Sequence, residues 1–507
     1  MIYGFSRFGY EGALVNVEVD LRDGLPATDI VGLADGVVKE TKERVKTAIS
    51  NTKVSDVPLE YPNKRVLISL SPADTKKEDA SFDLTIALAV LDASENRTKD
   101  KVLVMGELDL SGDVRPVRAT FTACQTALKA GINYAILPEG ASVPNGMKVC
   151  FVKNLKEAFI FLKRREYVYS KETKTEINSD IKFKDMLNIS PDDYVGGIAN
   201  NLKFAMTVAV AGNHNLLSIG TRGRKENSLL YLMPQILPEL NNKETQSTTR
   251  IRSIAGLLNA NQNYMTTRPF RVPHQTALIE GICGGGIHCN PGEISLAHNG
   301  VLFLDEASEF RTSVLQMLRV PIENHCITLS RAGRGTVYPA DFQLVMSTQP
   351  CPCGNYGRKD KICLCSQKSI ENFWRKFSAP LLNRVEIRFN ANSEEALTLE
   401  KMTLAKMREL ITNAWEAQQK RGVFNGRRSY APYGSHILTT QETNWFEDIK
   451  DRQLIVDFAK GIARTEYQLL AVARTLADMN RAETISRADV ELAIKLRANT
   501  IFDVLEN

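Results

Sequence analysis

The chain has no apolar run approaching the roughly 18 residues of a membrane span, and 24% of its 507 residues are charged. Its first residues, Met-Ile-Tyr-Gly-Phe-Ser-Arg, lack the apolar core of a secretory leader. These absences predict a cytoplasmic protein with no membrane partner. No internal repeat and no low-complexity tract is present, so a repeat architecture is excluded. Net charge is only +5, spread over a long chain. It permits contact with nucleic acid, but a solvated surface accounts for it equally well. Nine cysteines without a leader do not suggest a disulfide framework.

What is present divides into roughly three domains by length. Residues 1–165 alternate short apolar runs with turns. Strands are expected at 13–19 and 65–70, an apolar helix at 82–91, and a strand entering a turn at 106–113, giving an α+β domain. Residues 166–190 are polar and rich in Lys and Glu, a linker by composition. Residues 191–393 carry short continuous apolar runs at 216–219, 301–304 and 343–348, separated by helical stretches. That pattern predicts an α/β domain with a parallel sheet covered on both faces. Residues 394–507 read as helical, with apolar spacing at 465–479 and 489–501 and a capping box formed by Ser486 and Asp489.

The run at 301–304 ends in Asp305 and Glu306. In a P-loop ATPase, a carboxylate at a strand end holds Mg²⁺ and a second carboxylate polarises the attacking water. The partner motif is G-x-x-x-x-G-K-[ST], lying between a strand and a helix. The segment in that place is Gly220-Thr221-Arg222-Gly223-Arg224-Lys225-Glu226-Asn227. Aligned on Gly220, the second glycine is Lys225, the phosphate-binding lysine is Glu226 and the magnesium hydroxyl is Asn227. This is a degenerate Walker A segment. Two unit charges about 4 Å apart interact by about 4 kcal/mol at an effective dielectric of 20, and a sign reversal doubles the swing. Micromolar affinity is about 8 kcal/mol in all. The exchange at Glu226 is therefore large enough to abolish ordinary ATP binding. Against it, Arg222, Arg224 and Lys225 supply positive charge, and a loop one residue shorter would turn Lys225 inward. Both readings stay open.

The words around the acidic strand are more specific. Pro291-Gly292-Glu293-Ile294-Ser295-Leu296-Ala297-His298-Asn299-Gly300, followed by 301–306, resembles the signature of the magnesium chelatase subunit I family, a branch of the AAA+ ATPases. More narrowly it resembles the ComM and YifB group, bacterial proteins linked to transformation and DNA branch migration. Residues 270–274, 349–354 and 381–384 are similar to further group motifs, as are 70–74 and 472–478. The resemblance implies ATP with Mg²⁺ as cofactor, a homo-hexameric or mixed ring, and DNA as a partner. It also implies a fold of three parts: an N-terminal domain like ribosomal S5 domain 2 and the Lon protease domain, an AAA+ core, and a C-terminal helical lid. By position, Arg384 resembles the arginine finger that reaches a neighbour's nucleotide, and Arg464 the sensor-2 arginine of the lid. Gln349 stands where the family has its sensor-1 asparagine. An alternative is a non-enzymatic ring subunit or adaptor with a disabled loop.

Cys351, Cys353, Cys363 and Cys365 form two C-x-C pairs separated by nine residues. Four thiolates can close a structural zinc site, although C-x-C is tighter than the usual spacing. Reduced cysteines on a polar loop are the alternative. In the N-terminal domain, Ser81 falls where Lon-type peptidases carry their nucleophile, but Phe121 occupies the position of the base. A hydroxyl without a base is a poor nucleophile, so peptidase activity is not expected. Between 261 and 290, Arg268, Arg271, His274 and His288 are candidates to face nucleic acid, and Gly284-Gly285-Gly286 reads as a flexible tip. Solvated loops with structural histidines account for these residues as well.

Overall fold

A computed structural model of the protein describes residues 1–32, 36–54, 57–72, 80–95, 100–164, 168–169, 181–184, 190–220, 225–258, 264–331, 334–358, 361–391, 396–421, 446 and 449–497. The first unit is an eight-stranded mixed sheet. Its strands run, in spatial order, Val168–Tyr169, Lys148–Val152, Tyr134–Pro138, Val102–Val104, Ile2–Ser6, Ala13–Arg22, Arg65–Ser71 and Ala27–Val31. The helices Asp83–Glu95 and Leu155–Arg164 bury their apolar sides on one face. Thr120–Lys129 covers the other. The polar stretch after residue 165 begins inside this unit, because Val168 and Tyr169 pair antiparallel with Val149 and Lys148.

The second sheet has five parallel strands. Their spatial order is Phe270–Arg271, Val301–Leu304, Gln343–Thr348, Leu216–Ile219 and Ile387–Asn390. The three continuous apolar runs are its central strands, and every residue in them is buried. Alternation along a strand explains this composition, since successive side chains leave on opposite faces and both faces are covered. Val301 and Phe303 join the core built with the helices Gly197–Gly212, Leu404–Lys420 and Ala463–Met479. Leu302 and Leu304 join the opposite core, with Ile251, Phe310, Trp374 and Phe377. The C-terminal helices thus share one continuous core with the sheet. The last, Arg487–Arg497, starts with the expected reciprocal cap. Ser486 N–H donates to the Asp489 carboxylate at 2.9 Å, and Asp489 N–H to Ser486 Oγ at 3.3 Å. Among the described residues, no helix is long and apolar enough to cross a membrane.

Candidate nucleotide site

Strand register builds the site. Leu304 pairs with Met346, so Asp305 leaves the sheet beside Ser347. Ile219 pairs with Thr348, so Gly220 leaves beside Gln349. Gly220, Gln349 and Asp305 therefore lie at the carboxyl ends of three adjacent strands, where ligands of open parallel sheets bind. Gly220 N–H donates to Thr348 C=O at 3.0 Å, which anchors the start of the loop. The predicted Gly223 and Arg224 lie outside the described residues, as do the side chains of Lys225, Glu226 and Asn227. The backbone resumes as the helical turn Lys225–Gln235.

Asp305 is held on both carboxylate oxygens. Ser347 Oγ donates to Oδ1 at 2.5 Å, Glu306 N–H reaches the same oxygen at 3.1 Å, and Tyr231 Oη donates to Oδ2 at 2.7 Å. Glu306 sits in the left-handed region at φ 50°, with its N–H also donating to Ser347 Oγ at 2.9 Å. Such a conformation is costly for a non-glycine residue and persists only where surrounding contacts demand it. Gln275 Nε2 donates to the Glu306 carboxylate at 3.0 Å. Burial, the hydrogen bond to Asp305 and the two nearby carboxylates push the Tyr231 phenol up to about 12, so it stays a donor at neutral pH. Ser347, Tyr231 and Gln275 were not singled out from the sequence. Only Ser347 had a legible signal: a hydroxyl inside an otherwise apolar strand, in register with the acid. Gln349 lines a cavity of about 360 Å³ with Glu309, Phe373 and Lys376.

The two predicted arginines come together elsewhere. Arg464 Nη2 donates to the Glu323 carboxylate at 2.7 Å, and Arg384 Nη2 donates to the same oxygen. Arg384 also donates to Pro380 C=O. Arg384 precedes the strand Ile387–Asn390, whereas Asp305 follows Val301–Leu304. Because the strands are parallel, those positions lie beyond opposite strand ends. Burial pushes the Glu323 carboxyl up, but the hydrogen bonds and charges of Arg464 and Arg384 outweigh it and hold the group below its ordinary 4.5. A depressed carboxylate pKa stabilises the fold above the ordinary value, and that stabilisation is lost as pH falls through the folded value. Glu323→Gln should therefore lower the melting temperature near pH 6. The gap to the unmodified protein should close below about pH 4. A gap independent of pH would show that the tie is not ionic.

The four cysteine sulfurs lie within 4.8 Å of one another. Cys351 Sγ is 3.4 Å from Cys353 Sγ and 3.7 Å from Cys363 Sγ, and Cys353 is 3.6 Å from Cys363. Four sulfurs about 2.3 Å from a central zinc stand about 3.8 Å apart, so the set fits a tetrahedral site. Gly354 and Gly357, both at φ +76°, make the turns that fold the loop back. Burial opposes ionisation of Cys353, but the backbone N–H of Asn355 and the thiols of Cys351, Cys365 and Cys363 bring it down to about 6. Burial and its neighbours push Cys363 up to about 12. The first pair is rooted in the core: Cys351 is fully buried, and Trp374 Nε1 donates to Pro350 C=O at 3.0 Å.

Two candidates for nucleic acid are otherwise engaged. Arg268 is 7% exposed, donates to both Glu244 carboxylate oxygens at 3.2 and 2.8 Å, and lies over the Trp415 ring. It is a buried structural cation, not a surface contact. Glu244 itself caps the Asn242–Ala255 helix by accepting from Asn241 N–H at 2.9 Å. Removing one partner of a buried pair leaves an uncompensated charge, so Arg268→Ala should cost about 3–5 kcal/mol. Denaturant unfolding of the full chain would measure it. A loss under about 1 kcal/mol would mean that water replaces the guanidinium. Arg271 is bound by Glu293 at 2.6 and 2.7 Å. His274 is exposed, with its Nδ1 within 2.8 Å of Thr276 Oγ1. His288 is partly buried, and its carbonyl accepts from Gly9 N–H at 3.0 Å. Gly284 and Gly285 pair with Pro291 and Asn290, so the glycine run begins as a paired strand. In the first unit, Ser81 is buried at 4% exposure. Phe121 is fully buried and packs edge-on against Tyr264.

Comparison with known proteins agrees with this architecture. Residues 195–399 match the family model of magnesium chelatase subunit ChlI, and residues 17–141 match a second ChlI subunit model. The chain is 32% identical to the protein YifB of Escherichia coli, covering 98% of this chain and 97% of YifB. It is 31% identical to competence protein ComM of Haemophilus influenzae, again over 98% and 97%. A Lon protease of Mycolicibacterium smegmatis is 23% identical over 138 residues, 27% of this chain and 18% of that protein. Full-length likeness at this level, on a parallel sheet that sets Gly220 and Asp305 at the carboxyl ends of its strands, makes this chain a ComM- and YifB-like member of the magnesium chelatase ChlI family.

Proposed function

We propose that the protein is an AAA+ ring subunit that binds ATP with Mg²⁺ between neighbouring copies and acts on DNA in the cytoplasm. The observation that carries the reading is the separation of charges. Asp305 and Glu306 leave the carboxyl ends of the parallel strands, while Arg384, which meets Arg464 at Glu323, precedes the amino end of Ile387–Asn390. A chain with an acidic phosphate side and a remote cationic side completes its site only against another copy. Head-to-tail repetition of such a contact closes a ring when the rotation permits, here a homo-hexamer or a mixed ring. In that assembly Arg384 and Arg464 would exchange Glu323 for a neighbour's phosphates.

The donor set suits a hard cation, because Asp305 and Glu306 offer carboxylate oxygens. Bound there, Mg²⁺ would neutralise phosphate charge. Ser347 and Tyr231 fix the orientation of Asp305, Gln275 that of Glu306, and Glu306 would polarise an attacking water. The proposed division is 1–165 as the S5 domain 2-like unit, 166–190 as linker, 191–393 as the AAA+ core and 394–507 as the lid. The cysteine set, Cys351, Cys353, Cys363 and Cys365, would hold a structural Zn²⁺.

A second reading, a non-enzymatic ring subunit or adaptor, is favoured by two features. Glu226 replaces the phosphate lysine, and Tyr231 already occupies Asp305 Oδ2. Titration of the unmodified protein with Mg·ATP separates the two. Saturable binding with turnover supports the ATPase, binding without turnover or no binding supports the adaptor. DNA action is supported by the likeness to a competence protein. Affinity for single strands and branched junctions should fall steeply with salt as phosphate contacts release counterions. Undetectable or salt-insensitive binding would count against it.

A further inference from the structure

The two sheet units meet along a helix pair. Thr120–Lys129 from the first lies against Asn242–Ala255 from the second. Ala119 N–H donates to Ser253 C=O at 3.1 Å and Thr122 Oγ1 to Arg250 C=O at 3.4 Å. Gly256, at φ +72°, lies so close to Arg118 that a Cβ would stand 2.8 Å from its Nε.

Beside this contact the seam opens into a cleft of about 370 Å³, the size of a small-ligand site. Its lining carries one sign of charge. Lys129, Lys243 and Arg250 contribute, and no carboxylate does. Lys129 and Lys243 come from the two opposing helices, are exposed, and have no ion-pair partner among the described residues. Arg250 is the fixed member at 5% exposure. Its Nε and Nη2 donate to Tyr10 and Glu11, with the guanidinium 4.6 Å over the Tyr10 ring, and Nη1 takes no part in those bonds. Glu11 balances Arg250 from outside the lining, so the two lysines are the uncompensated charge. Gln125 and Gln246 add an amide from each helix. Such a cleft strengthens the field of its charges, because low-dielectric walls confine it.

The cleft is also remote from the nucleotide site. Ser247, in its lining, accepts from Asn299 Nδ2 at 2.9 Å. Asn299 precedes the strand Val301–Leu304, whereas Asp305 follows it. We propose that the seam is a phosphate-chain site. It would take two or more adjacent phosphates, from single-stranded nucleic acid or a free polyphosphate, gripped by Lys129 and Lys243 from opposite sides. The proposal goes beyond the ring reading and does not depend on turnover at Asp305.

The test uses the full chain, unmodified and as Lys129→Glu/Lys243→Glu and Lys129→Gln/Lys243→Gln. Two probes are titrated: a labelled thymidine strand of about 20 nucleotides, and inorganic tripolyphosphate. Charge reversal is expected to weaken binding by at least about tenfold. It should also flatten the salt slope for the strand by about 1.4, two contacts at about 0.7 each. The glutamine pair should fall between, and it carries the test if the reversed pair does not fold. Lysine-dependent binding of the strand identifies nucleic acid as the source; dependence for tripolyphosphate alone identifies a free anion. Wild-type affinity and slope in a variant with an unchanged melting temperature would overturn the site, as would failure of the unmodified protein to bind either probe. Mg·ATP affinity measured on the same samples should be unchanged, which separates this outcome from failure of the ring reading.

Discussion

Glu226→Lys combined with Asn227→Ser should raise ATP affinity by at least about a hundredfold, close to 3 kcal/mol. The basis is charge at short range. A lysine about 4 Å from phosphate gains about 4 kcal/mol at an effective dielectric of 20, and a glutamate loses as much. Solvent and the nearby Arg222, Arg224 and Lys225 screen that swing, so less than half of it is expected to survive. Turnover should rise in parallel, because the two carboxylates are already positioned: Asp305 by Ser347 and Tyr231, and Glu306 by Gln275. Calorimetric titration and a phosphate-release assay on the assembled protein would measure both. If the double variant is folded and assembled yet binds no better, the loop is not the limiting defect. The adaptor reading would then have to rest on Tyr231, and Tyr231→Phe becomes the informative variant. Tight Mg·ATP binding by the unmodified protein would show instead that Lys225 serves as the phosphate lysine.

Purified protein should carry close to one zinc per chain, and replacing Cys351, Cys353, Cys363 and Cys365 by serine should remove it. Structural zinc contributes apparent binding energies of about 10–16 kcal/mol in small zinc-finger peptides. Here much of the loop's position is secured independently, by the burial of Cys351 and the bond from Trp374 to Pro350. The expected loss in folding stability is therefore a few kcal/mol, a fall in melting temperature of roughly 5–10 °C for a unit of this size. Gln349 should feel the loss, since its Oε1 lies only 3.3 Å from where a Cβ on Gly354 would stand. Metal analysis with calorimetry decides the matter. Sub-stoichiometric zinc before any chelator, with a serine variant that melts like the parent, would leave four reduced thiols and no metal site.

How much could be read from the chain follows from the range of each interaction. The runs at 216–219, 301–304 and 343–348 were legible as covered parallel strands because their burial is written in consecutive residues. Asp305 was legible for a related reason: an acid ending such a run must emerge where parallel sheets bind ligands. The Ser486–Asp489 cap was visible because its partners are three residues apart. Arg268 was misjudged as a surface cation. Its neutralising partner, Glu244, is 24 residues away on another element, and nothing local to Arg268 announces burial. Arg464 and Glu323 are 141 residues apart, so their meeting was invisible too.

The amino-acid sequence by itself determined the family, the parallel-sheet class, the acidic strand end, the residue types at 220–227 and a four-sulfur set. Those depend on residue identity and on spacing within a few positions. The tertiary structure alone decided that Tyr231 and Ser347 grip Asp305, that Arg384 and Arg464 converge on one carboxylate, and that Lys129 and Lys243 face one cleft. Hydrogen bonds and ion pairs act over a few ångströms of space, and only folding brings distant stretches of chain within that reach.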